Sequence, residues 1–115
     1  MDNIILQKSY CFAVRSIKLS QYIQRKYSEY VLTKQFLKAG TSIGANVTEA
    51  QQAQSRADFL SKLNIALKEA GEAQYWLRLL KAGHYLTLQE FNSIHSDCVE
   101  IIKILSSIVK STKNN

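Results

Sequence analysis

The sequence predicts an all-α fold, an antiparallel up-down-up-down four-helix bundle, on three observations. Proline, which breaks helix interiors, is absent from all 115 residues. Only four glycines occur, too few for a turn-rich β protein. Four long stretches repeat apolar residues every three or four positions, the spacing of one helical face. The 46% apolar fraction supports a real core, and the length suits one domain over residues 1–115.

The first helix is expected over about 3–26, with Ile5, Ser9, Phe12, Ala13, Ser16, Leu19, Ser20 and Ile23 on its core face. "KYSEYVL" then breaks the pattern, with Ser28 as N-cap of a second helix over about 29–53. Its apolar series Leu32, Phe36, Ala39, Ile43, Val47 and Ala50 runs unbroken past Gly40 and Gly44. Ser55, with Asp58 three residues on, starts a third helix over about 56–81. Its series is Phe59, Leu63, Ala66, Ala70, Ala73, Leu77 and Leu80. Gly83 suits a left-handed cap, and Thr87 with Glu90 forms a capping box for a fourth helix over about 88–110. That helix runs through Phe91, Ile94, Cys98, Ile101, Leu105 and Ile108 before a short frayed tail.

The third helix carries more apolar surface than one stripe requires. Leu60, Ile65, Leu67, Trp76 and Leu79 point away from its series, which predicts a second contact surface and a homo-oligomer.

Net charge is +6, and the excess is uneven: residues 1–38 carry seven basic and two acidic side chains. On the first helix Lys8, Arg15 and Lys26 lie nearly in line, with Lys18 and Arg25 alongside and Tyr22 among them. With Lys34 and Lys38 of the second helix they make a candidate nucleic-acid-binding face, a cationic track with an interleaved aromatic. The alternative is a solvated face whose long stems cover apolar surface.

Chemistry of other kinds lacks its motifs. His84 and His95 have no His or Cys partner at ligand spacing, and Glu69 and Glu72 lack the Glu-x-x-His companion of a di-iron bundle. No Ser or Cys is paired by motif with a histidine base. "GTSIG" is neither a Walker A loop nor a dinucleotide fingerprint, because no strand precedes it and no lysine follows correctly. No catalytic, metal or cofactor residue is therefore expected, and no enzyme. Cys11 and Cys98 read as two buried free thiols in a reducing cytoplasm. No signal peptide or membrane span is expected.

Gly40 and Gly44 are instead read as a site of close helix approach, because each mid-helix glycine costs about 1 kcal/mol relative to alanine and so calls for a packing reason. Leucine at position 44 should then overpack. Ser42 and Asn46 could bond each other or a neighbouring helix, and Glu49 could pair with Lys62. These side chains form either a polar shoulder at a seam or a specific recognition or assembly site.

The stretch "QFLKAGTSIGANVTEAQQAQSRADFLSKLNIALKEAGEAQYWLRLL", residues 35–80, resembles the bacterial 23S ribosomal RNA intervening-sequence protein family. The match is most specific at "GTSIGANVTEA", "ADFLSKLNIALKEA" and "YWLRLL". That family is similar in turn to the accessory variability determinant proteins of diversity-generating retroelements, which form pentameric barrels and act with a reverse transcriptase and RNA. The resemblance implies a cytoplasmic bacterial protein, a ring-like homopentamer and no catalytic residues. Its signature falls on Ser42, Gly44, Asn46 and Glu49. The function expected is a non-catalytic oligomeric scaffold that binds RNA, DNA or a ribonucleoprotein; the alternative is a protein-protein interaction module with no nucleic-acid role.

Overall fold

The computed structural model describes residues 3–114, four helices joined by short turns. The ends of the tail and leader readings, at Met1, Asp2 and Asn115, lie outside the described residues.

Helix α1 (Ile4–Tyr27) starts where the Asn3 side chain accepts the Leu6 N–H at 3.2 Å. It ends at Ser28, whose left-handed backbone (φ 53°) lets its N–H close on Gln24 O at 3.0 Å. Ser28 therefore terminates the first helix rather than capping the second. Capping falls to Glu29, whose carboxylate accepts the N–H groups of Val31, Leu32 and Thr33 at 3.0, 2.7 and 3.0 Å. A carboxylate suits this place because it meets three orphan donors at the positive end of the helix. Partial burial pushes the Glu29 carboxyl up, but the three backbone donors and the Thr33 hydroxyl outweigh it and hold the group below its usual 4.5. Its contribution to stability is thus full above pH 4.5 and is lost as the pH falls through the depressed value.

Helix α2 (Val31–Ala50) stops three residues before the sequence-based estimate. The N–H groups of Gln51, Gln52 and Ala53 turn to carbonyls three residues back, tightening the chain out of α geometry. Helix α3 (Arg56–Ala82) begins as expected, with Ser55 Oγ accepting the Asp58 N–H at 3.0 Å. At its end Gly83 has an ordinary φ of −81°, and the left-handed residue is His84 at 66°. Helix α4 (Leu88–Lys113) carries the full Thr87–Glu90 capping box and continues three residues past Lys110.

The helices form an antiparallel bundle, 47 Å long and about 22 Å across, in which α1 neighbours α2 and α4, and α3 neighbours α2 and α4. The core follows the apolar series closely. In α4 the last core position is Val109 instead of Ile108, which is only half-buried. Phe12 and Phe36 meet edge to face across α1 and α2, with ring centroids 6.3 Å apart.

Helices α1 and α2 approach each other closely along their seam. Ser9, Ser16 and Ser20 of α1 are buried there, with the Ser9 and Ser16 hydroxyls turned back to Leu6 O and Phe12 O. A Cβ built at Gly40 would overlap Ser16 Oγ and come within 2.8 Å of Ser16 Cβ. At Gly44 it would stand 3.2 Å from the Ser9 carbonyl oxygen. The two glycines are thus the places where the α1 backbone and its short side chains approach α2. Gly71 of α3 is different, since an added Cβ there meets nothing within 4 Å.

One expectation about the cysteines fails. Cys98 is buried, its thiol donating to Ala70 O at 3.4 Å, and burial pushes it up to about 12. Cys11 is exposed, because it lies on the outer side of α1 opposite the serine row. A disulfide exchange reagent at pH 8 should modify one thiol per chain promptly and the second only on unfolding. Two fast thiols in the native protein would contradict this placement.

Candidate nucleic-acid interface

Two of the basic residues of α1 are tied to α4. Arg15 Nη1 lies 2.6 Å from Asp97 Oδ2, and its guanidinium also donates to Ser93 O at 3.2 Å and Ser93 Oγ at 3.0 Å. Lys8 Nζ lies 2.9 Å from Glu100 Oε1, and that hydrogen bond with its charge attraction holds the ammonium above its usual value. These pairs bridge the seam between α1 and α4 and offset part of the charge there.

Beyond Arg15 the seam opens into a groove of about 470 Å³, lined by Arg15, Lys18, Leu19 and Tyr22 of α1 and by Gln89, Glu90, Ser93 and Ile94 of α4. Lys18 and Arg25 have no ion-pair partner among the described residues. Lys26 donates to Tyr22 Oη at 3.1 Å and lies 5.5 Å from the Tyr22 ring centroid and 5.3 Å from that of Tyr27. The hydrogen bond to Tyr22 is the main cause that raises Lys26 above its usual value. Glu90, the one carboxylate lining the groove, is occupied by the Thr87 N–H at 2.8 Å. That backbone bond is the largest cause holding Glu90 below the usual carboxylate value. The result is a groove with one unpaired cation, Lys18, and a tyrosine in its wall.

Lys34 and Lys38 are not part of it. They belong to α2, which has no contact with α4, and Lys38 is close enough to α3 to act on the charge of Glu69. The basic face expected from composition is therefore two surfaces, separated by the bundle itself. Reading the helices one at a time could not reveal this, because it depends on which helices are neighbours.

The remaining singled-out residues lie on or near α2. Ser42 Oγ donates to Lys38 O at 2.6 Å and Asn46 Nδ2 donates to Ser42 O at 2.9 Å. Both bond back along their own helix, not to each other's side chain or to a neighbouring helix. Glu49 lies 3.8 Å from Lys62 of α3. Gly44 lines an open, mostly apolar groove of about 530 Å³ between α1 and α2, walled also by Leu6, Tyr10, Ala13 and Ala45. Trp76 of α3 is half-buried against the core, its ring edge-on to Tyr75.

Sequence reasoning missed a second cationic place. Arg78, Lys81 and Ala82 of α3, His84 of the turn, and Phe91 and His95 of α4 line a hollow of about 610 Å³. A signal was present: folding the chain back about the turn at 83–87 sets residue 95 against 74–78, and Gln74 does meet His95 at 3.2 Å.

Among the described residues no group of three His, Cys, Asp or Glu side chains could hold a metal ion, and no helix is long and apolar enough to cross a membrane. A comparison with curated proteins gives no match. Among solved structures the chain is similar to a protein of unknown function from the S23 ribosomal protein family of Bacteroides thetaiotaomicron. Identity is 53% over 92% of this chain and 98% of that one, with a TM-score of 0.91. The family model described as 23S rRNA-intervening sequence protein matches residues 1–107. With four helices in an antiparallel bundle and a match over nearly its whole length, the chain belongs to the 23S rRNA-intervening sequence protein family.

Proposed function

We propose that this chain is a non-catalytic cytoplasmic scaffold that binds structured RNA through the groove between α1 and α4. The observation that carries the reading is the groove itself, in which Lys18 has no ion-pair partner among the described residues and stands beside Tyr22, with Arg25 and Lys26 following on the same helix. Unpaired cations along a trough follow a phosphate backbone, and a tyrosine face offers a stacking platform for an unpaired base. The family's description as 23S rRNA-intervening sequence protein is the ground for choosing RNA over DNA as the acidic partner to test.

Titration of a labelled RNA stem-loop at two salt concentrations tests this. Affinity should fall steeply with salt, as expected when cations on the protein displace counterions. No binding at low salt, or binding indifferent to salt, would refute it. A protein partner retained after nuclease treatment and in high salt would favour the interaction-module reading instead.

The scaffold is also proposed to assemble with copies of itself through the outer face of α3. Ile65 and Tyr75 are 40% and 53% exposed there, and Leu60 and Ile65 line a shallow groove with Ala57. A face of this kind on a small helical protein suits a second copy better than water. Light scattering should give a mass that is a multiple of 13.1 kDa. A monomer at micromolar concentration would remove this part and leave the RNA reading standing.

A further inference from the structure

The hollow at the α3–α4 turn gathers more basic side chains than the Lys18 groove and, unlike it, has no carboxylate in its wall. Three other cations between helices are paired: Lys8 with Glu100, Arg15 with Asp97 and Lys62 with Glu49. Here Arg78, Lys81, His84 and His95 converge with no acidic residue in the lining. Glu90, although next to Phe91 in sequence, turns to the α1 side, where it takes the Thr87 N–H and interacts with Tyr22 and Lys26.

The side chains are also held in place. The Phe91 and His95 rings stack with centroids 4.6 Å apart and planes 20° from parallel. Lys81 Nζ stands 4.9 Å from the centroid of the Phe91 ring. His84 occupies a left-handed turn (φ 66°), and its N–H is bonded to Lys81 O at 3.0 Å. Gln74 Nε2 sits 3.2 Å from His95 Nε2. With the amide donating, Nε2 is the acceptor and the ring proton is on Nδ1, which has no partner among the described residues.

We propose that this hollow is a phosphate-binding site, in which Arg78, Lys81, His84 and His95 receive one phosphate group, carried either as the free anion or at the end of a nucleotide chain. Cations arriving from a helix, a turn and a second helix suit a group with three terminal oxygens better than a flat carboxylate. An anion here would relieve a repulsion that the fold maintains. Burial and the charges of Arg78 and Lys81 hold His95 below its usual 6.5, and no carboxylate from α1 or α2 faces the ring to oppose them. The site lies on the opposite side of α4 from the Lys18 groove and stands independently of the RNA reading.

The test is a titration of the full chain with inorganic phosphate, followed by histidine side-chain NMR across pH. Saturable shifts at His95 and His84 are expected, with the His95 midpoint moving upward on binding. Arg78→Ser with Lys81→Ser should weaken phosphate by about tenfold or more, the loss expected when charge-assisted hydrogen bonds are removed. Lys103→Ser, on the same helix as His95 but outside the hollow, should leave affinity unchanged. A 5′-phosphorylated hexauridylate that binds more tightly than its 5′-hydroxyl form assigns the site to a chain end. Equal binding of the two oligonucleotides assigns it to the free anion. No shift at millimolar phosphate, acetate bound as tightly as phosphate, or an affinity untouched by the double substitution would each overturn the proposal.

Discussion

Replacing Gly40 with leucine should destabilise the fold by about 3 kcal/mol or more and lower the melting temperature by about 10 °C or more. Two effects compete at this position. Leucine is the better helix former, which favours the variant by about 1 kcal/mol. Against that, even the first carbon of the new side chain overlaps Ser16 Oγ and stands 2.8 Å from Ser16 Cβ. Ser16 cannot swing away cheaply, since it is fully buried and its hydroxyl is bonded to Phe12 O at 2.8 Å. The steric term wins because α1 and α2 must separate along this seam. Ser16→Gly should restore part of the loss in the double variant, as coupled neighbours do. Gly71→Ala provides the contrast: with nothing near its Cβ, it should stabilise by about 0.4–1 kcal/mol. Thermal melts of the four proteins check the set. A Gly40→Leu variant that melts with the parent would refute the close-approach account.

The second large effect concerns binding. Reversing Lys18, Arg25 and Lys26 together to glutamate should weaken RNA by about a hundredfold or more at low salt and reduce the logarithmic salt slope by about 3. Arg15 is left out of this variant on purpose. Its guanidinium holds Asp97 and Ser93 of α4, so its reversal would disturb the groove as well as its charge. Lys34→Glu with Lys38→Glu should change affinity by less than about threefold, because these charges face away from the groove and exposed charges are screened within about 10 Å. An equal loss from both variants would mean that RNA wraps the bundle without using the groove.

Much of the fold was legible because helical period is a strong signal. The series from Leu32 to Ala50 places Gly40 and Gly44 inside a helix, and the Thr87–Glu90 box is readable from two residues. The turns were harder. Ser28 and Gly83 have the residue types of an N-cap and a left-handed cap, yet Glu29 and His84 take those roles. Both turns lie at the same end of the bundle, where Tyr27 packs on Tyr85 with ring centroids 5.3 Å apart. Packing between elements decides such geometry, and local propensity yields to it.

The site was legible only in part, for a related reason. Helical angle groups Lys8, Arg15, Lys18, Tyr22, Arg25 and Lys26 on one side of α1, and Lys8, Arg15, Lys18 and Tyr22 face α4. Which of them would meet carboxylates on α4 depended on an inter-helix register that no single helix contains. Lys34 and Lys38 belong to α2, which does not touch α4, and Lys38 acts on the charge of Glu69 in α3. The hollow of Arg78, Lys81, His84 and His95 was missed because its members are separated by a turn and share no motif.

Amine footprinting tests the central claim most directly, since lysines report on both surfaces in one experiment. The full chain would be acylated with and without a saturating RNA stem-loop, and each lysine quantified by mass spectrometry. The groove account predicts that Lys18 and Lys26 become protected while Lys34 and Lys38 react as in the free protein. Protection of Lys34 and Lys38 with Lys18 and Lys26 unchanged, or no protection anywhere under binding conditions, would contradict it.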